Sequence, residues 1–253
     1  MSGAVAYQRV KEQLEDLKMM AALSELDGVL EKGQKEELTP VEVIDSLLER
    51  EVSSRFERRL RTNIQLSGIH VQKRIEDFDF EAQPQVPKRT IGELATLRFL
   101  AAGENVLLLG PCGVGKTHLA TGLALKALEQ GHRAYFLTLH DLITKAQSGR
   151  RQGRLGSVMS VILRSDLFVL DELGFLPLEV EDATFLFEIV NKRYQANKST
   201  IVTSNKSYGQ WGEIFPDPVL AVALLDRLLH HATAVNIRGE SYRLKQRREA
   251  GLT

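Results

Sequence analysis

Cysteine is almost absent: Cys112 is the only one in 253 residues. Within one chain this excludes disulfides and a cysteine-based metal centre, and it points to a reducing, cytoplasmic setting. Net charge is missing as well. The 33 basic residues balance 33 acidic ones, so whole-molecule charge implies no attraction to nucleic acid or membrane. Any such attraction must come from local patches. No apolar run approaches the ~18 residues of a membrane span. Arg9, Lys11 and Glu12 follow soon after the first residue, where a signal peptide would need an apolar core. The six histidines, including His230-His231, show no metal-ligand spacing. Repeats and low-complexity tracts are also lacking, and the length allows one large or two modest domains.

What is present centres on Gly110-Pro111-Cys112-Gly113-Val114-Gly115-Lys116-Thr117, followed by His118. It matches G-x-x-x-x-G-K-[ST], the Walker A loop. The apolar run Val106-Leu109 before it reads as a buried strand, and Leu119–Glu129 after it as a helix closed by Gly131. Glycines let the backbone wrap an anion, so that amides and the helix N-terminus face phosphate. Lys116 would reach the β- and γ-phosphates of ATP, and the Thr117 hydroxyl would ligate Mg²⁺. Leu167-Phe168-Val169-Leu170-Asp171-Glu172 is an apolar strand ending in two acids, a Walker B pattern. Asp171 would hold Mg²⁺ through water, and Glu172 would orient and polarise the attacking water. Ser199–Asn205 is a third strand turning polar at Asn205, a candidate γ-phosphate sensor; an ordinary turn asparagine fits the same position.

The chain up to residue 80 reads as a helical domain. Val10, Leu14, Leu17 and Ala21 fall on one helical face. Thr39-Pro40-Val41-Glu42 is a capping box with proline first in the helix. Ile44, Leu47, Leu48, Val52 and Leu60 are expected on or near that helix's buried face, with Gly68 ending it. Residues 81–90, with two prolines, read as a linker. Residues 91–253 then alternate, with strands expected near 105–109, 134–138, 166–170, 200–204 and 233–237. Helices are expected near 116–129, 181–196 and 219–230. The pattern predicts an α/β three-layer sandwich round a mainly parallel sheet.

GPCGVGKTHLA, VLDELGF, TSNKSYGQW and DRLLHHATAVNIRGESYR together resemble the IstB-like ATP-binding proteins, transposition helper ATPases of bacterial insertion sequences. The ATPase half is also similar to the DnaC helicase loader and, more distantly, the DnaA initiator. The resemblance implies an AAA+ P-loop module behind a small all-helical N-terminal domain. It implies ATP binding, homo-oligomeric assembly on DNA and a partner transposase. Arg227 matches the arginine finger of this clade, which enters the next subunit's ATP site. Arg243 matches a second sensor, with Arg238 as a competitor. In this fold a segment such as Thr90–Leu94 often lines the adenine pocket, although core packing explains Ile91 and Leu94 equally.

Two basic clusters are candidates for DNA. The first is Arg50, Arg55, Arg58, Arg59 and Arg61, with Lys73 and Arg74 beyond; Arg55, Arg58 and Arg59 share a helical face. The second, between the second and third strands, holds Arg150, Arg151 and Arg154 among glycines, which suggests a mobile loop that orders on a polyanion. A solvated helix face explains the first cluster equally well. Neither cluster carries interleaved aromatics, so backbone contact with duplex is expected over stacking on single-stranded bases. Trp211 and Tyr208 read as packing residues or a subunit contact. The other readings are a helicase loader acting on a replicative helicase, a nucleotide-gated scaffold without turnover, and a metabolic kinase. The last leaves the Asp226-Arg227-Leu228 and sensor elements unexplained.

Overall fold

The computed structural model describes residues 3–242. By contact the chain divides into two compact units between Thr62 and Asn63. The sequence places the change of domain at 80; residues 63–90 instead belong with the second unit.

The first unit is helical: α1 (Gly3–Asp16), α2 (Met20–Lys35) and most of α3 (Pro40–Leu66). The capping box forms as expected. The Thr39 amide donates to Glu42 Oε2 at 2.7 Å, and the Glu42 amide to Thr39 Oγ1 at 3.4 Å. The expected faces hold less well. The chain turns at Lys18, with φ 54°, so α1 and α2 are separate helices and Leu17 is exposed. Leu14, Ala22 and Leu26 form the small core, with Leu47 packed against it. Ile44, Leu48 and Val52 are exposed, while the buried residue of α3 is Glu51.

Glu51 has a structural reason to be inside. Its carboxylate accepts the Ala21 and Ala22 amides at 2.9 and 3.2 Å, orphan donors at the start of α2, which has no cap of its own. Arg55 donates to Glu51 at 2.7 Å and to the Leu17 and Lys18 carbonyls at 3.3 Å. Arg58 reaches the same carboxylate at 3.5 Å. Of the expected DNA-facing set, Arg55 therefore ties α3 to the turn between α1 and α2, and Arg58 shares its carboxylate partner. The Arg55 hydrogen bond keeps the Glu51 carboxyl below its ordinary value of 4.5. A depressed carboxyl contributes stability above that value, and loses it as pH falls through the folded-state pKa. Protection of the Ala21 and Ala22 amides in hydrogen exchange should therefore drop as pH falls below the ordinary carboxylate range. In Glu51→Gln it should already be low at neutral pH. Unchanged protection in that variant would remove this role.

The second unit adds α4 (Lys88–Ala95), α5 (Arg98–Ala102), β1 (Asn105–Leu109), α6 (Lys116–Glu129), β2 (Ala134–Thr138), α7 (Leu139–Arg151), α8 (Leu155–Arg164) and β3 (Leu167–Leu173). Then come α9 (Val180–Gln195), β4 (Ser199–Ser204), α10 (Pro218–Leu229) and β5 (Ala232–Asn236). All five expected strands form, within three residues at each end. They make one parallel sheet in the order β2-β3-β4-β1-β5. Every residue of β1 and β4 is buried. Because strand side chains alternate between faces, helices must cover both faces, which makes three layers. The chain leaves β1 for distant β2 and returns through β3 and β4, so a crevice opens at the carboxyl end of β1.

Arg193 of α9, 1% exposed, ties α8 to β4. It donates to the Ile162 carbonyl at 2.8 Å, the Ser199 carbonyl at 2.5 Å and Thr200 Oγ1 at 3.1 Å. Burial pushes its guanidinium down to about 9, so it stays charged at neutral pH. The stretch expected as a mobile loop is a helical hairpin. A Cβ at Gly149 would lie 3.2 Å from the Leu155 backbone, so glycine lets α7 and α8 close together, and Gly153 turns the chain with φ 65°. Trp211 is fully buried and serves packing. Among the described residues no helix is long and apolar enough to cross a membrane.

Candidate functional site

The glycine loop leaves β1 in conformations that side chains rarely adopt. Gly110 has φ 146°, and a Cβ there would lie 2.1 Å from the Ile237 carbonyl oxygen. Gly115 has φ 96°, and its Cβ would meet the Phe78 ring at 2.5 Å. Both positions therefore require glycine. The loop ends at the N-terminus of α6, whose first residue is Lys116. Its ammonium donates to the Gly110 and Pro111 carbonyls at 2.6 and 2.7 Å, folded back over the loop.

Beside the loop lies a cavity of about 330 Å³. Residues from Cys112 through His118 line it, with Glu172 and Thr203 opposite Lys116 and Thr117. Walker A and Walker B are thus brought together, as the sequence implied. Thr117 Oγ1 donates to Asp171 Oδ1 at 3.0 Å. Asp171 is 2% exposed, and burial pushes its carboxyl up, against hydrogen bonds from Thr203 and Thr117 and the charge of Lys116.

Glu172 is held in the left-handed region, φ 64°, while its side chain is exposed. That conformation costs about 1–3 kcal/mol for a residue with a Cβ. It belongs to a β-bulge: Leu170 pairs with Val202 and Leu173 with Ser204, so β3 carries one extra residue. The Glu172 amide, lost to the ladder, donates to Thr203 Oγ1 at 3.0 Å. Thr203 Oγ1 in turn donates to Asp171 Oδ1. The sequence gives no sign of Thr203, one β-branched residue among several in β4; only the register reveals it.

The other candidates separate. Asn205 lies just past β4, does not line the cavity, and its Oδ1 is buried without a hydrogen-bond partner among the described residues. His118 Nε2 donates to the Arg74 carbonyl at 2.7 Å, and its ring meets Phe78 edge-on at 5.2 Å. Cys112 is exposed on the loop. Arg238 is exposed and away from the cavity, and Arg243 lies outside the described residues. Ile91 and Leu94 are core residues that do not line the cavity. Lining the cavity instead are Lys73, Phe78 and Gln83, from the stretch expected as domain edge and linker, and Tyr242. Gly122 permits it, because a Cβ on α6 there would lie 2.9 Å from the Ile75 amide nitrogen. Lys73, a DNA candidate from sequence, thus faces the nucleotide cavity, and Arg74 pairs with Glu129 at 2.6 Å.

Arg227 does not line its own chain's cavity. It is held on α9, donating to Asn191 Oδ1 at 2.7 Å and stacking over Phe187 at 4.8 Å. Arg150 is likewise taken, at 2.6 Å from Asp182 of α9, whereas Arg151 and Arg154 are exposed at the hairpin turn.

This arrangement has clear relatives. The family described as IstB-like ATP binding protein matches residues 11–250. The insertion sequence IS21 ATP-binding protein of Pseudomonas aeruginosa is 42% identical, over 94% of this chain and 90% of its own. That of IS5376 from Geobacillus stearothermophilus is 39% identical, over 95% and 96%. Among solved structures, the DnaC helicase loader is similar at 25% identity and TM-score 0.53, over 59% of this chain and 86% of that one. AMPPCP-bound DnaA from Aquifex aeolicus shares the fold, at 20% identity and TM-score 0.57, over 74% of this chain and 58% of that one. With the phosphate loop, the paired acids and the parallel sheet in place, the chain belongs to the IstB-like ATP-binding family of insertion sequences and is an ATPase of AAA+ fold.

Proposed function

We propose that this ATPase assembles on duplex DNA as an ATP-dependent oligomer, distorts the DNA, and recruits or activates a partner transposase from the cytoplasm. The observation that carries the reading is the position of Arg227. An arginine matching a finger does not line its own chain's cavity and sits on a helix whose Val219 and Val222 are 74% and 65% exposed. An apolar helix face beside a half-buried arginine suits burial against a second copy, which would present its cavity to that arginine. The loop after Glu172 offers apolar Phe175 and Leu176 beside that cavity, both about half exposed.

Thr117 and Asp171, a hydroxyl and a carboxylate 3.0 Å apart, are hard-oxygen donors that fit Mg²⁺, which when bound would neutralise phosphate charge. Lys116 would exchange the loop carbonyls for the β- and γ-phosphates. Glu172 would hold the attacking water. Asn205 would sense the γ-phosphate through its amide, and Arg243, or Arg238, would contact phosphate from the same subunit. DNA contact would fall to Arg151 and Arg154, exposed at the hairpin turn. Arg55, Arg58, Lys73, Arg74 and Arg150 have the intramolecular places already described. One neighbour in fold, DnaA bound to AMPPCP and single-stranded DNA, shares only the architecture at 19% identity.

The test is binding to random-sequence duplex DNA with ATP, with ADP and without nucleotide, across a salt series, with complex size followed by centrifugation. Large complexes that need ATP should form, with affinity falling by roughly 0.9 log units per log of salt for each phosphate neutralised. Absence of duplex binding in every state would favour the helicase-loader reading, which the likeness to DnaC supports.

A further inference from the structure

We propose that Thr203 is a positioning residue for hydrolysis: its hydroxyl sets the carboxylate of Asp171 and the backbone of Glu172 together. This rests on the roles given above to those two acids. Thr203 is 1% exposed, yet its hydroxyl sits at the one place where the β3–β4 ladder shifts register. A hydroxyl has one proton and two lone pairs. Here the proton goes to Asp171 Oδ1, and one lone pair takes the Glu172 amide at 3.0 Å. A single atom thus closes the gap left by the bulge and orients an acid that Thr117 also holds, at 3.0 Å.

The consequence is geometric. Glu172 keeps φ 64° because its amide has found a partner outside the ladder. Turned back into the ladder, its side chain would swap faces and leave the cavity, since strand side chains alternate. Asp171 would at the same time lose one of its two hydroxyl donors. Neither effect reaches the loop glycines or Lys116, so Mg²⁺-free binding of the nucleotide should be spared. The neighbouring Ser204 hydroxyl shows what an ordinary strand hydroxyl does here: it donates to the Leu173 carbonyl at 2.6 Å, closing the far side of the same bulge.

The experiment compares the full chain with Thr203→Val, Thr203→Ser and Thr203→Cys. It measures ATP turnover with and without duplex DNA, and affinity for a fluorescent ATP analogue with and without Mg²⁺. Valine should lower kcat by about 10- to 100-fold and raise the Mg²⁺ needed for half-maximal turnover, as loss of an outer-shell partner does. Mg²⁺-free analogue binding should stay within about twofold, and serine should restore most of the loss. If valine melts too early to assay, cysteine, a weaker donor, should show a smaller loss in the same direction. Parental turnover in valine, an equal fall in serine, or a matching loss of Mg²⁺-free binding would each overturn the proposal. Glu172→Gln, run beside them, separates the two readings. If it turns over at the parental rate, the assignment of Glu172 fails. If it is slow while Thr203→Val is not, Thr203 has no such role. In the double variant the losses should fall short of their sum, because both act on one group.

Discussion

Glu172→Gln should still bind ATP and should hydrolyse it about 10²–10⁴ times more slowly, the range for loss of a positioned base. The amide keeps the volume and the left-handed backbone of Glu172, and neither the loop nor Lys116 depends on its charge. What disappears is the carboxylate that would take the proton of the attacking water. On duplex DNA the variant should form the ATP-dependent complex and fail to release it, which single-turnover kinetics and dissociation rates would both record. Hydrolysis at the parental rate would take the water-activating role away from Glu172. A control follows from its φ of 64°. Glu172→Gly should lose turnover yet melt at a higher temperature, gaining up to about 1 kcal/mol from relief of strain. Strain kept at a residue that faces the cavity is what a functional constraint would leave.

Arg227→Ala should lose about 10³–10⁵ in turnover if its guanidinium completes the neighbouring site, the magnitude typical of arginine fingers. Affinity for ATP in the isolated chain should change little, since Arg227 does not line its own cavity. The decisive version mixes two dead proteins. Lys116→Ala lacks a working phosphate loop but carries the finger; Arg227→Ala has the loop and lacks the finger. In an equal mixture about a quarter of head-to-tail interfaces join an intact loop to an intact arginine, so activity should return to about that fraction. If no mixture recovers, the shared site loses its support. Arg227 would then be a residue that only braces α10 against Asn191 and Phe187 of α9.

Local chemistry made much of this protein legible from its residues. Val106–Leu109 and Leu167–Leu170 are apolar runs of strand length bounded by turn residues, and both are buried strands. Gly110 to Thr117 announces its own shape, because the backbone it needs is one that only glycine adopts easily. Thr39–Glu42 specifies a helix start through bonds three residues apart. In each case the interactions that decide the structure lie within a few positions of one another, so pattern and chemistry suffice.

Tertiary structure decided the rest, wherever a group's partner lies far along the chain. Arg55 and Arg58 look like a basic face until Glu51, capping a helix some thirty residues earlier, claims them. The stretch 81–90 reads as a linker from its prolines, yet Gln83 reaches the Glu240 carbonyl and lines the nucleotide cavity. Thr203 is one strand residue among many until strand register brings its hydroxyl to Asp171 and to the amide of Glu172. By itself the sequence determined a phosphate loop and a pair of acids at the ends of buried strands, because those signals are short-range. Which side chains hold the acids in place, and which arginines are held by partners far along the chain, depended on register and close approach between distant segments, which no local pattern encodes.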